Sequence, residues 1–185
     1  MDETYQDYIW DGTFVSPLTL TDDWSSLVVL RSFSKTFAIP GWRVAFAVTT
    51  PERVEKAAVQ HDALYIGGST IAQYTLAAAL EQYLPELNKY VSDLRAQLAQ
   101  NRDFLAETFR DYGMEPLPVP ATYYMLIKHH RKSDLAAVEE LLAKKIVVTP
   151  ANILYADQSQ NTGYIRIHFA VPPETVAEVQ RRLAR

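Results

Sequence analysis

The chain has 185 residues, and 18 basic against 22 acidic side chains leave a net charge of −4 with no basic block, which excludes a non-specific nucleic-acid or anionic-membrane binder. Hydrophobic residues at 48% exclude a disordered tail, and the absence of Cys excludes a disulfide framework, a thiolate nucleophile and a thiolate metal cage. No apolar run approaches the roughly 18 residues of a membrane span, and the acidic start Met1-Asp2-Glu3 is unlike a secretory signal, so a cytoplasmic chain is expected.

Residues 26–32 read Ser-Leu-Val-Val-Leu-Arg-Ser, a β-branched and apolar run that predicts a strand buried on both faces. A polar loop is expected over residues 33–42, and residues 43–48 resume as a second core strand. Thr50 as cap, Pro51 in the first turn and Glu52 and Glu55 at the positive end predict a helix start. The Ala-rich stretch over residues 69–80 predicts another helix, capped by Ser69 or Thr70, with Pro85 marking its end or a kink. From Leu84 to Phe109 apolar residues recur at three- and four-residue steps, ahead of Gly113. This predicts one amphipathic helix of about 25 residues, long enough to connect or brace two domains.

The proline-spaced run from Met114 to Pro120 suits an extended linker or an edge strand, and it marks a boundary between domains at residues 1–112 and 113–185. Beyond it, residues 123–128 read as a strand, 135–144 as an amphipathic helix, 146–148 as a short strand, 164–169 as a strand and 173–185 as a helix. Together they describe an α+β unit, a small sheet covered by two helices.

Lys35 is the residue that demands an explanation. An ammonium between Ser34 and Thr36, set between two strands expected to be buried, needs a partner or a task. It either points to solvent from an ordinary loop or uses its amine to attack a carbonyl. Arg43 presents a fork of donors suited to a phosphate, and Ser32 and Ser34 offer hydroxyls nearby. An aldehyde carrying a phosphate would use all four.

The run Ser32-Phe33-Ser34-Lys35-Thr36-Phe37-Ala38-Ile39-Pro40-Gly41-Trp42-Arg43 resembles the cofactor-lysine segment of class I and II aminotransferases, the fold-type-I enzymes dependent on pyridoxal 5′-phosphate (PLP). Three more segments resemble that family's in the same order. Asp2-Glu3-Thr4-Tyr5 is similar to its Asp-x-x-Tyr motif, Ala72-Gln73-Tyr74 to a helix start, and Gly163-Tyr164-Ile165-Arg166-Ile167-His168-Phe169 to its C-terminal arginine strand. The resemblance implies an α/β fold: the C-terminal part of the PLP-binding large domain, followed by a small α+β C-terminal domain.

It also implies roles. Lys35 would join the cofactor's aldehyde and move a proton between the substrate Cα and the cofactor. Asp2 would hold a proton on the pyridine nitrogen, and Tyr5 would hydrogen-bond the phenolic oxygen. Ser32 and Arg43 would bind the phosphate, with Ser34 a weaker candidate, and Arg166 would clamp the substrate α-carboxylate. On pattern alone, Asp2 and Tyr5 are a chain end and a surface ring, and Arg166 is the solvent face of a half-buried strand. Ser69 and Thr70 either cap a helix or reach the phosphate of a neighbouring subunit. His61, His129, His130 and His168 show no ligand spacing, so no metal is expected, and Trp10, Trp24 and Trp42 are expected to pack.

The implied activity is amino-group transfer between an amino acid and a 2-oxo acid in a homodimer. Another fold-type-I reaction (C–S lyase, decarboxylase or cyclising lyase) and a non-catalytic remnant of the fold stay open. The family's N-terminal half supplies a glycine-containing turn, a ring-stacking aromatic and an Asn, so these 185 residues are expected to be its C-terminal portion, inactive alone, with a small domain that still folds.

Overall fold

A computed structural model describes residues 1–184 and places six β-strands and six α-helices among them. The chain divides into two units, Met1–Leu94 and Arg95–Arg185, with the boundary inside the longest helix.

In the first unit, β1 (Val29–Ser32) pairs antiparallel with β2 (Ala45–Val48), Val29 facing Val48 and Ser32 facing Ala45. Residues 1–3 run along the other side of β1. The Leu30 amide donates to the Met1 carbonyl at 2.9 Å and the Glu3 amide to the Leu30 carbonyl at 2.8 Å. Burial on both faces is not found: Val29 is buried, but Leu30, Ala45, Phe46 and Ala47 are exposed. A strand buried on both faces needs a covering layer on each, and here the sheet has two strands.

The expected loop over residues 33–42 is instead one helical turn, α1 (Phe33–Thr36), followed by a 3₁₀ turn at Pro40–Trp42. Ser32 is the reason. Its extended backbone places its hydroxyl to accept from the Ser34 amide at 3.2 Å, which caps the turn.

Helix α2 (Pro51–Leu64) starts at the expected proline, but the Thr50 side chain makes no capping bond; its backbone carbonyl takes the Arg53 and Val54 amides instead. In α3 (Thr70–Gln82) Ser69 is the cap, accepting from the Ala72 amide at 3.3 Å. Helix α4 (Leu84–Asp111) runs for 28 residues. Pro85 sits in its first turn, where a missing N–H leaves no bond unmade.

The second unit is built on a four-stranded antiparallel sheet. Its strands are β3 (Glu115–Pro116), β4 (Tyr124–Lys128), β5 (Thr149–Pro150) and β6 (Tyr164–His168), in the order β3-β4-β6-β5. Two helices follow strands, α5 (Asp134–Ala143) and α6 (Pro173–Leu183). Alternation sends Met125, Ile127, Ile165 and Ile167 into the core, where Leu105 and Phe109 of α4, Leu141 of α5 and Val176 and Leu183 of α6 are also buried. Each such side chain contributes roughly 1.5–3 kcal/mol. Buried Asn101 of α4 donates to the Phe169 carbonyl at 3.0 Å and the Val171 carbonyl at 2.8 Å, just past the end of β6.

Residues 146–148 do not form the expected strand. Lys145 turns left-handed at φ 62°, and the Ile146 amide returns to the Leu141 carbonyl at 2.9 Å, so these residues are spent leaving α5 and the ladder begins at Thr149. The last residue of the helix expected at 173–185, Arg185, lies outside the described residues. No helix among the described residues is long and apolar enough to cross a membrane.

Candidate active site

Asp2, Ser32, Ser34, Lys35 and Arg43 line one hollow of about 590 Å³ in the first unit, together with Thr4 and Arg31. Local structure accounts for each. Lys35 is half-buried on the helical turn that Ser32 caps, and Ser34 is buried beside it. Arg43 reaches the hollow because the chain reverses through Pro40–Trp42 and leaves that turn left-handed at φ 56°, a conformation that costs a non-glycine residue roughly 1–2 kcal/mol. One guanidinium nitrogen donates to the Pro40 carbonyl at 3.1 Å.

The loop that begins with Asp2 is stitched to the turn bearing Lys35. The buried Tyr8 hydroxyl donates to the Lys35 carbonyl at 2.7 Å, and the Thr36 hydroxyl donates to Asp7 Oδ2 at 2.5 Å. Asp2 itself is exposed, and its Oδ1 accepts from the Thr4 hydroxyl at 2.5 Å and the Thr4 amide at 2.9 Å. These bonds, the hydroxyl's above all, hold its carboxyl below the ordinary range. Glu3 alternates to the opposite side and is buried. Its oxygens take the Ser16 hydroxyl at 2.5 Å and Arg31 Nε at 2.7 Å, so Arg31 enters the hollow already paired.

Two predicted site residues lie elsewhere. Tyr5 sits half-buried in the turn at residues 4–7 and does not line the hollow; its carbonyl accepts from the Tyr8 amide. Arg166 belongs to the second unit. There its guanidinium lies over the Tyr124 ring, 4.6 Å from the centroid, and it lines a separate hollow of about 700 Å³ with Tyr124, His168 and Glu174. Of the tryptophans expected to pack, Trp10 lies 6.1 Å from the Tyr8 ring, while Trp24 and Trp42 are 37% and 39% exposed.

The strand that carries Arg166 is anchored at its start by Asp134. This buried carboxylate accepts from His129 Nε2 at 3.1 Å, the Thr162 hydroxyl at 2.6 Å and the amides of Asn152, Thr162 and Gly163. Burial pushes its carboxyl up, and the bonds from Thr162, Gly163 and His129 outweigh it, leaving the group below its ordinary value. The Arg131 amide donates to His129 Nδ1, which places the ring proton on Nε2.

Thr4, Tyr8 and the Glu3–Arg31 pair escape a reading of the sequence. Thr4 had a signal, since a hydroxyl two residues after an Asp is the pattern of an Asx turn. Tyr8 and Lys35 lie 27 residues apart and Arg31 and Glu3 28, beyond any local pattern.

The family model for aminotransferase class I and II matches residues 1–183. A (5-formylfuran-3-yl)methyl phosphate transaminase of Methanocaldococcus jannaschii is 24% identical, over 98% of this chain and 48% of its own length. An aromatic amino acid aminotransferase of Mycobacterium avium is 31% identical, over 97% of this chain and 46% of its own. The solved structure of Thermus thermophilus aspartate aminotransferase with maleate shares the fold, with a TM-score of 0.86 at 24% identity, over 100% of this chain and 47% of that one. The chain spans about half the length of the relatives it matches.

Proposed function

Since the chain belongs to the class I and II aminotransferase family, whose members depend on PLP, we propose that it supplies the lysine-bearing part of an enzyme that moves an amino group between an amino acid and a 2-oxo acid. The observation that carries this reading is the single hollow that gathers Asp2, Ser32, Ser34, Lys35 and Arg43.

That donor set fits the cofactor. It holds an amine for an aldehyde, a carboxylate for a ring nitrogen, and a guanidinium and hydroxyls for a phosphate. Ser32 accepts from the Ser34 amide and keeps its own O–H to donate, and Arg43 gives one N–H to Pro40 and keeps the rest. When bound, PLP supplies an electron-withdrawing ring that draws off the electron pair of the substrate Cα–H bond.

Lys35 Nζ would take the proton from the substrate Cα as general base and deliver it to the cofactor as general acid. The ionised Asp2 carboxylate keeps a proton on the ring nitrogen, because a negative charge beside that nitrogen favours its cationic form. Arg43 and Ser32 hold the phosphate, and buried Ser34 lends a hydroxyl. By family resemblance alone, Tyr5 would donate to the phenolic oxygen and Arg166 would clamp the substrate α-carboxylate through two parallel bonds; neither lines the hollow that holds Lys35.

Residues 1–112 belong in this reading to the PLP-binding large domain and residues 113–185 to the small domain. The protein works as a cytoplasmic homodimer, and the 185 residues alone do not turn over. The half-length match to relatives and the exposed faces of β1 and β2 support that last point. Relatives are named for aspartate, aromatic and furan-methyl phosphate substrates, so the reading stops at the amino acid and 2-oxo acid class.

Covalent capture asks less of a protein than turnover, and it is the test. The chain is incubated with PLP, reduced with borohydride and mapped by peptide mass. A dominant adduct on the peptide containing Lys35, absent in Lys35→Ala, is expected. Labelling that favours another lysine would overturn the assignment.

A further inference from the structure

Among the residues that line the hollow Asp2 is the one carboxylate, and its two oxygens are not equivalent. Oδ1 receives both donors of Thr4, the hydroxyl at 2.5 Å and the amide at 2.9 Å. Oδ2 takes no hydrogen bond among the described residues. An exposed aspartate with neither bond would sample several rotamers, whereas two bonds from one neighbour onto one oxygen fix both the side-chain torsion and the carboxylate plane. The charges around it are Lys35, Arg43 and the Glu3-paired Arg31 of the same hollow, and the α-ammonium of Met1, which donates to the Val28 carbonyl.

We propose that Thr4 is the positioning residue for Asp2: by occupying Oδ1 with both of its donors, it leaves Oδ2 as the oxygen that meets a protonated ring nitrogen in the hollow. This deepens the reading given above and rests on it. The main-chain donor at residue 4 survives any substitution except proline. The hydroxyl is therefore the part that sequence chooses, and it separates Thr and Ser from every isosteric apolar residue.

Thr4→Val keeps the shape and removes the hydroxyl; Thr4→Ser keeps the hydroxyl. In the 185-residue chain without PLP, the Asp2 carboxyl carbon is titrated by NMR. In Thr4→Val its pKa should rise toward the ordinary carboxylate value, and in Thr4→Ser it should stay where the parent has it, with the amide resonances of Val29–Ser32 unmoved in both. PLP binding is then measured by equilibrium titration with PLP itself. Thr4→Val should bind about three- to tenfold more weakly, the worth of one hydrogen bond, and Thr4→Ser as tightly as the parent. An unchanged Asp2 titration in Thr4→Val overturns the proposal, and so does a shifted titration with unchanged PLP affinity. Asp2→Asn separates the two levels. If it binds PLP as well as the parent, the reading of the hollow falls and the proposal with it; if Asp2→Asn binds more weakly and Thr4→Val does not, the proposal falls alone.

Discussion

The hydroxyl of Tyr8 donates to the carbonyl oxygen of Lys35 at 2.7 Å, so a buried ring from the loop that starts with Asp2 holds the backbone of the residue assigned to proton transfer. Because the bond goes to the main chain, it leaves the Lys35 amine untouched and acts on where that amine begins.

Tyr8→Phe keeps the ring and deletes the donor. It should cost the chain about 1 kcal/mol of stability and slow the capture of PLP at Lys35. Urea unfolding reads the first effect and the rate of adduct formation under borohydride the second. A variant that loses stability and captures PLP at the parent rate would show that the bond supports the fold alone.

Arg43 carries two properties that substitution can separate. Arg43→Gln removes the guanidinium, and its PLP affinity should fall about tenfold or more, the worth of a charge-assisted hydrogen bond. Arg43→Lys should recover part of that loss, since an ammonium supplies charge without the planar fork. Arg43→Gly should bind as poorly as Arg43→Gln yet unfold at higher urea, because glycine accepts the φ of 56° without the roughly 1–2 kcal/mol of strain an arginine bears there.

Acid should weaken the second unit in a defined window. Paired bonds from Arg131 at 2.7 and 2.6 Å are the main reason the Glu140 carboxyl is lowered from 4.5 to about 2, with the Tyr112 hydroxyl adding to them. The folded value lies below the unfolded one, so the native form binds fewer protons. Its contribution is complete above about pH 4.5 and drains away as pH falls toward 2. Asp134 is lowered too, and it acts in the same direction. Unfolding free energy measured between those limits should fall with pH, and Glu140→Gln and Asp134→Asn should each flatten the slope. An unaltered slope in both variants would count against the two carboxylates as its source.

Asn101 bridges two carbonyls just past the end of β6 from a buried position on α4. Asn101→Ala leaves both acceptors without their donor and should cost about 2 kcal/mol. Hydrogen exchange of the Ile165 and Ile167 amides should speed up in proportion.

What the sequence yields depends on how far apart the cooperating residues are. The repeat of apolar residues from Leu84 to Phe109 is enough to place α4, because a helix face is written every three or four residues. The alternation of Ile165, Arg166 and Ile167 places β6 and the two sides of it. Residues 146–148 mislead, since three β-branched apolar residues look like a strand whether or not a left-handed Lys145 has already turned the chain. The run from Ser32 to Arg43 identifies the hollow by resemblance, yet its helical turn depends on a serine cap that a loop reading passes over. Tyr8 and Lys35, and Glu3 and Arg31, become partners only when β1 aligns with residues 1–3, a relationship carried by backbone pairing and not by any local motif.

The ribbon of β1 and β2 stops at β2, whose outer margin has no ladder partner among the described residues, with Phe46 at 40% exposure between exposed alanines. An apolar strand with an open row of donors and acceptors is a template on which further strands can grow. Concentrated preparations of this chain should therefore cloud by edge-to-edge accretion well before they melt. Phe46→Lys, a charge set on the growing margin, should keep them clear.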